Sequence, residues 1–567
     1  MTTTTRHTVS TPSAAYDAAE KERKRTRLIL GGTEALRQEA REGEGECNVL
    51  PREVGETPDE YSVRKGRTYL RNFLKSAIKD HAARVFKNPP QLGDDVPELI
   101  RGSEKVPGWL ENFDFHGNHM DMWGRSVWET GEAFGITYVL VDKAPRPQDE
   151  VVKADEKRNK RRPYAVHLDP ECVIEVSPRF VHGVPRINRL RWKRTYIEKK
   201  SRWDPGTEKE EIRVYYDGLA EGEKTFPADH SARALYEEQE RAVPAEIPAG
   251  SIERCARFEV YEVVKDANGK KQEILRPGEE GSGFMKPLTQ IPLVPFYFNR
   301  TGWMDGRPCH PELEEATLEY FQLRSDHKNS AHKVSPPVIH RSGWSPDEEA
   351  GPQRQGQIGA GRYFWSSKPE ADMKYVEHTG SSLKVVAEIL DDIAKRADEL
   401  SLRPLMKQTG DVVATDSALR TSQANSEIEG WLIHYRDALE RILEFMMLWE
   451  GGKEGDGGSV VVNKEGLTLL PGGSFQEVRE LRKASEISRK TVLKEAKRYG
   501  ILHPDTDVDE EIRELEQETP KYGALDLEDA LAALEARIKA LEGGKGQEKA
   551  EEPTVDGEGE RDEDVAA

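Results

Sequence analysis

The segment from 415 to 450 constrains this chain more than any other. Ile428, Leu432, Tyr435, Leu439, Ile442 and Met446 recur at alternating intervals of four and three, the rhythm of a single apolar helical face. Thr415 or Asp416 offers an N-cap, and Gly451-Gly452 ends the run. Thirty-six residues at 1.5 Å each reach ~54 Å, too long for an ordinary globular core. A chain carrying such a helix has to build an elongated body around it. Gly430 inside the run costs about 1 kcal/mol relative to alanine, which predicts a kink or a close crossing there.

Two more helices precede it. Residues 310–335 read as one, with Pro311 at a first helical position, spanning ~36 Å. Residues 381–405 read as the other, with Val386, Ile389, Ile393, Ala397 and Leu400 as its stripe. Its polar side carries Lys384, Glu388, Asp391, Lys395 and Glu399, and Asp391–Lys395 and Asp392–Arg396 are spaced as i,i+4 ion pairs. Between the two, 336–380 is broken by proline and glycine and holds the short strands PPVIH, GRYFW and MKYVEH.

The first half changes period along its length. Residues 1–60 are rich in Thr, Glu, Gly and Arg and read as a flexible arm with one short helix near 17–30. Residues 61–87 read as one amphipathic helix ended by Pro89-Pro90. A further helix over 119–134 carries Met122, Trp123, Val127 and Trp128, and Gly135 hands it to the buried strand ITYVLVD. From about 160 to 300 the period becomes two, a set of meanders with an Asn268-Gly269 turn and polar insertions at 199–211 and 218–250. Near the other end, ISRKTVLKEAKRYG (487–500) is helical. Leu527, Leu531, Leu534, Ile538 and Leu541 keep heptad spacing for two repeats, too few for an independent coiled coil. Residues 544–567 have the composition of a disordered acidic tail.

The chain has 567 residues, so more than one structural region is expected. Its net charge of −20 excludes a simple basic nucleic-acid coat. No apolar run approaches a membrane span, which speaks against a membrane partner. Cys47, Cys172, Cys255 and Cys309 are far apart and read as reduced thiols without zinc spacing. NGKK (268–271) and GGKGQ (543–547) fall short of a phosphate loop, and HExxH, GxSxG and GxGxxG settings are missing. DFHGNHMDM brings Asp114, His116, His119 and Asp121 together in sequence, and such a set could hold a divalent metal or only a loop and cap. Asp505, Asp507, Asp509 and Glu516 imitate a calcium loop, but its sixth position is Glu510 where the turn needs glycine. Trp303, Trp344 and Trp365 read as core or interface side chains before base-stacking platforms. The expectation is a protein without an enzyme's constellation, a resident metal or a cofactor.

The order of these segments resembles the portal proteins of tailed bacteriophages, closest to a subfamily described only as a domain of unknown function. The likeness runs over roughly 61–520 and rests on five stretches: GEAFGITYVLVDKAP (131–145), PYAVHLDPECVIEV (163–176), IPLVPFYFNRTG (291–302), TDSALRTSQANSEIEGWLIHYRDALERIL (415–443) and ISRKTVLKEAKRYGILHPDTDVDEEIREL (487–515). The arm and the end of the chain lie outside it.

The resemblance implies an α+β portal fold. Residues 1–60 would be the N-terminal arm, and 61–309 a wing, helical and then β-rich. Residues 310–335 and 381–405 would form a two-helix stem and 336–380 a small mixed α/β clip. Residues 406–414 would be a tunnel loop, 415–475 the long wing helix and a strand, 476–543 a helical crown and 544–567 the tail. It implies a ring, in this family usually of twelve copies, at one capsid vertex of the virion, assembled in the host cytoplasm. Double-stranded DNA would pass through the channel during packaging and ejection, touching it weakly and without sequence preference. Lys384, Lys395, Met406, Lys407, Gln408, Thr409 and Asp411 would face it. The large terminase motor and the head-tail connector or adaptor would dock on the clip around His340, Arg341, Trp344, Arg354 and Trp365. Major capsid and scaffolding proteins would be further partners. The competing expectation is a phage-encoded metal-dependent nuclease that uses Asp114 and His116.

Overall fold

The computed structural model describes residues 8–41, 47, 49–103, 106–144, 161–199, 201–238, 241–265, 271–334, 338–343, 368–376, 381–401, 414–462, 478–479, 482–483, 487–498, 506, 508 and 510–514. The chain divides into two units, Met1–Leu469 and Leu470–Ala567. In the second, the helix Arg489–Arg498 is capped by Ser488, whose Oγ accepts from the Thr491 amide at 3.1 Å. The rest of this section concerns the first unit.

Its longer helices are α1 (Ala14–Arg41), α2 (Pro58–Arg67), α3 (Phe73–Val85), α4 (Met120–Phe134), α5 (Pro311–Val334), α6 (Ser381–Leu400) and α7 (Ala414–Trp449). Two sheets of three or more strands accompany them among the described residues. The smaller has three antiparallel strands, with β1 (Ile136–Lys143) between β2 (Pro163–Leu168) and β8 (Leu293–Tyr297). The larger runs β3 (Val173–Val181), β4 (Val184–Glu198), β5 (Thr207–Tyr216), β6 (Arg257–Lys265), β7 (Lys271–Leu275) in simple meander order. Mixed α and β content of this kind is the expected α+β class.

The central core explains why the long helix is tolerated. Every residue of β1 from Ile136 to Val141 is buried, because α4 and α7 both pack on its sheet. Ile428, Leu432, Tyr435, Leu439, Ile442 and Met446 of α7 are all buried, as the four-three rhythm requires. Trp128 of α4 is fully buried and meets Phe298 edge-on at 4.9 Å. At the end of α7, Trp449 Nε1 donates to the carbonyl of Val141 at 2.9 Å, and Lys143 pairs with Glu450 at 2.8 Å.

Four expectations change. Residues 8–41 and 49–60 are not a free arm: α1 runs for 28 residues, broken at Gly32, and buries Tyr16, Ile29 and Leu36. Its apolar content is thin because polar contacts hold it. Tyr16 donates to the carbonyl of Glu171 at 3.0 Å, and Thr26 and Arg25 both donate to Glu314 of α5. Residues 61–87 form two helices rather than one, with extended backbone at Thr68 and Asn72 capping α3 through the Lys75 amide at 2.9 Å. Residues 207–211 fall within an expected polar insertion but extend β5 and pair with Arg194–Glu198. Gly430 is exposed, and a Cβ there would meet nothing within 4 Å, so no close crossing uses it.

Gly135, by contrast, is required. It ends α4 in the left-handed region at φ +78°, and an added Cβ would lie 1.6 Å from the carbonyl oxygen of Arg307. Gly135→Ala is expected to cost at least about 1–2 kcal/mol from backbone strain alone, and more from the clash. Urea unfolding should show a lowered midpoint; an unchanged midpoint would contradict this packing.

Candidate functional site: a helix pair seated on a buried carboxylate

Helices α5 and α6 pack as a pair, joined through a chain segment that contains the hairpin β9 (Val338–Ser342) and β10 (Asp372–Val376). Burial along the pair is graded. Near the body, Leu313, Ala316 and Tyr320 of α5 and Leu390, Ile393, Ala394 and Ala397 of α6 share one core with Phe73, Leu74 and Ile78 of α3. Phe73 meets the ring of Tyr320 edge-on at 5.3 Å. Toward the hairpin this burial thins, with Val386 only partly buried against the same core. Val385 and Ile389, one helical turn apart on α6, stay 55% and 44% exposed.

Polar clamps fix the base of α5. Glu314 is fully buried and is held by Thr26 Oγ1 at 2.5 Å and Arg25 Nε at 3.0 Å. One turn beyond the apolar contacts, the buried Arg64 of α2 grips Glu56 through two bonds of 2.8 and 2.9 Å and reaches Asp326 at 3.3 Å. Thr68 donates to Ser325 Oγ at 2.7 Å. Desolvation, and the neighbouring carboxyl of Glu53 with which it shares a hydrogen bond, push the Asp326 carboxyl up to about 6, against the pull of Arg64.

Beneath both helices lies a cluster that sequence reading did not single out. Glu132 of α4 is fully buried, and its Oε1 lies 2.6 Å from His81 Nδ1 of α3 and 2.9 Å from His310 Nε2 just ahead of α5. Its Oε2 accepts from Trp128 Nε1 at 3.0 Å. His81 Nε2 donates in turn to the carbonyl of Ser401, the residue that follows α6. Burial opposes ionisation of Glu132, but the hydrogen bonds from His310 and His81 prevail and hold its carboxyl below the usual range. Among the described residues, these three are the set whose donor atoms converge as metal ligands would, all within 4.8 Å of one another. One signal was available: His81 and Glu132 sit on the apolar faces of their helices, beside Ile78 and Trp128.

The residues singled out from sequence are placed differently. Asp114 is spent on a turn, accepting from the His116 amide at 2.8 Å and from Asn118 Nδ2 at 2.7 Å. His119 caps α4 through the Asp121 amide at 3.3 Å. The four do not converge, and the nuclease expectation loses its centre. Lys384 and Lys395 are exposed on α6, and Lys395 pairs with Asp392 at 3.3 Å rather than with Asp391. His340 is exposed in β9, where Arg341 sits opposite Met373. Met406, Lys407, Gln408, Thr409, Asp411, Trp344, Arg354 and Trp365 lie outside the described residues, as do Asp505, Asp507 and Asp509. Cys172, Cys255 and Cys309 are not disulfide-bonded.

A family described as a domain of unknown function (DUF4055) matches residues 312–450, from the start of α5 to just past α7. No curated protein matches the chain. Among solved structures, a chain from the neck of an empty gene transfer agent particle is 11% identical, with 80% of this chain and 96% of that chain covered and a TM-score of 0.34. A chain from the virion of the native gene transfer agent particle is 10% identical, with 79% and 94% covered and the same TM-score. Both likenesses are faint, and neither assigns a role to this chain.

The Asp326 clamp carries a pH signature. A carboxyl whose folded value is raised to about 6 favours the fold while protonated, and that contribution fades as pH rises from about 4 through about 6. Asp326→Asn removes this slope. Melting curves between about pH 4 and 7 should show the variant losing less stability than the parent chain as pH rises; parallel curves would contradict the assignment.

Proposed function

We propose that this chain is a subunit of a phage head-to-tail structure, and more narrowly a portal: a ring at one capsid vertex through which double-stranded DNA is packaged and ejected. The observation that carries this reading is the graded helix pair. Its base is clamped into the body by apolar packing, Arg64 and Glu314, while Val385 and Ile389 stand uncovered on the outer half of α6. Two large apolar side chains one turn apart on an outward helix call for a partner surface, and a second copy of the same helix pair supplies one in a closed ring.

The polar side of α6 fits the remaining face of such a ring. Lys384, Glu388, Asp391, Lys395 and Glu399 mix both signs along one helix. A duplex sliding past needs contacts that are weak and local, because each lysine–phosphate contact adds affinity and drag. A subunit at −20 repels phosphate on average and leaves single lysines as the points of touch. In this proposal 406–414 is the tunnel loop, with Lys407 its phosphate contact, and 336–380 is the clip that meets the motor and the connector. The chain then acts as a conduit rather than as an enzyme.

The apolar pair provides the test. Val385→Glu with Ile389→Glu leaves the buried base of the pair untouched and places charge on the surface assigned to the neighbour. Light scattering at micromolar concentration is expected to show a particle of many subunits for the parent chain and loss of that particle for the double variant, with circular dichroism unchanged. A parent chain that stays monomeric in assembly-permitting salt would overturn the proposal.

A further inference from the structure

The proton count inside the Glu132 cluster does not close with neutral side chains and an ionised acid. The carbonyl of Ser401 can only accept, so the proton of His81 must sit on Nε2 to make that 2.9 Å bond. A neutral His81 then turns the bare lone pair of Nδ1 toward Glu132 Oε1 at 2.6 Å. Two acceptors do not meet at that distance unless something positive lies between them. The candidates are an extra proton, carried by His81 as a buried imidazolium or by Glu132 as a neutral acid that donates to Nδ1, or a metal ion.

From these contacts we infer that His81 Nδ1, Glu132 and His310 Nε2 form a site for a divalent transition-metal ion, zinc foremost. Two imidazoles and one carboxylate are a zinc donor set. The three ligating atoms already lie within 4.8 Å of one another, on side chains shut away from solvent. At metal–ligand distances of about 2.0–2.1 Å the edges of a tetrahedron are about 3.4 Å. The donors at 2.6 and 2.9 Å therefore have to part by less than about 1 Å. The supporting shell is also in place. The second nitrogen of His81 donates to a backbone carbonyl, and the second oxygen of Glu132 accepts from Trp128. Such outer contacts orient metal ligands and fix their tautomers. The ion would replace shared protons as the tie between α3, α4 and the turn into α5, and through Ser401 would steady the end of α6.

The test is metal analysis of the full chain. Elemental analysis after exhaustive desalting is expected to find about one zinc per chain. Chelator should lower the melting temperature, and added zinc should restore it. Cobalt(II) in place of zinc should give the visible absorption of a tetrahedral site, a signature that a merely structural hydrogen-bonded triad does not produce. Glu132→Gln and His310→Ala should each lose the metal, while His116→Ala, remote in role, should keep it. Because the first two variants can also fail to fold, the parent chain decides independently. A folded, metal-free parent whose melting ignores both chelator and zinc would overturn the inference. So would bound zinc that persists in folded Glu132→Gln and His310→Ala chains.

Discussion

The carboxylate of Glu132 is the point on which separate parts of this chain converge. It belongs to α4, receives Trp128 from the same helix, His81 from α3 and His310 from the entry to α5, and is linked through His81 to the end of α6. Removing a carboxylate from water costs several kcal/mol, and hydrogen bonds to a charged group each return about 1.5–3 kcal/mol. Trp128 Nε1 and His310 Nε2 donate to Glu132 and His81 Nδ1 faces it, and together they offset the burial only while all of them stay in place. Losing one leaves a buried charge short of partners, so the elements that supply the donors are held in mutual register. The helix pair emerges directly above this point.

A second layer of polar contacts follows the same logic farther along α5. Glu314 is satisfied by Thr26 and Arg25 from α1, and Arg64 from α2 carries Glu56 and Asp326. Breaking a buried pair by removing one partner costs about 3–5 kcal/mol. The helix pair is thus fixed at its base by directional contacts, while Val385 and Ile389 on its outer turn are exposed among the described residues. In the proposed ring, a chain rigid where it is rooted and exposed where it projects would meet its neighbour at that outer turn.

Local pattern made much of this fold legible. The rhythm of α7, the step from α4 through Gly135 into β1, the meander strands and the limits of α5 all follow from periodicity and capping residues. What failed had non-local causes. Helix α1 looked like a solvated arm because its partners, Glu314 and the carbonyl of Glu171, lie about 150 to 290 residues away. The break between α2 and α3 depends on Thr68 meeting Ser325 and on Asn72 acting as a cap inside an apparently continuous stripe. The cluster of His81, Glu132 and His310 has no spacing motif, since each residue comes from a different element. Asp114, His116, His119 and Asp121 looked more like a site because they are neighbours in sequence, yet short-range proximity spends them on turns and caps.

The central claim is that α5 and α6 form the inner wall of a ring, with Val385 and Ile389 against a neighbouring subunit. An electron cryo-microscopy map of the purified chain tests it most directly. The account predicts a closed ring in which Lys384 and Lys395 face the lumen and the Val385–Ile389 turn is covered by the adjacent copy. A ring with α6 on its outer wall, or particles containing one chain only, would contradict it.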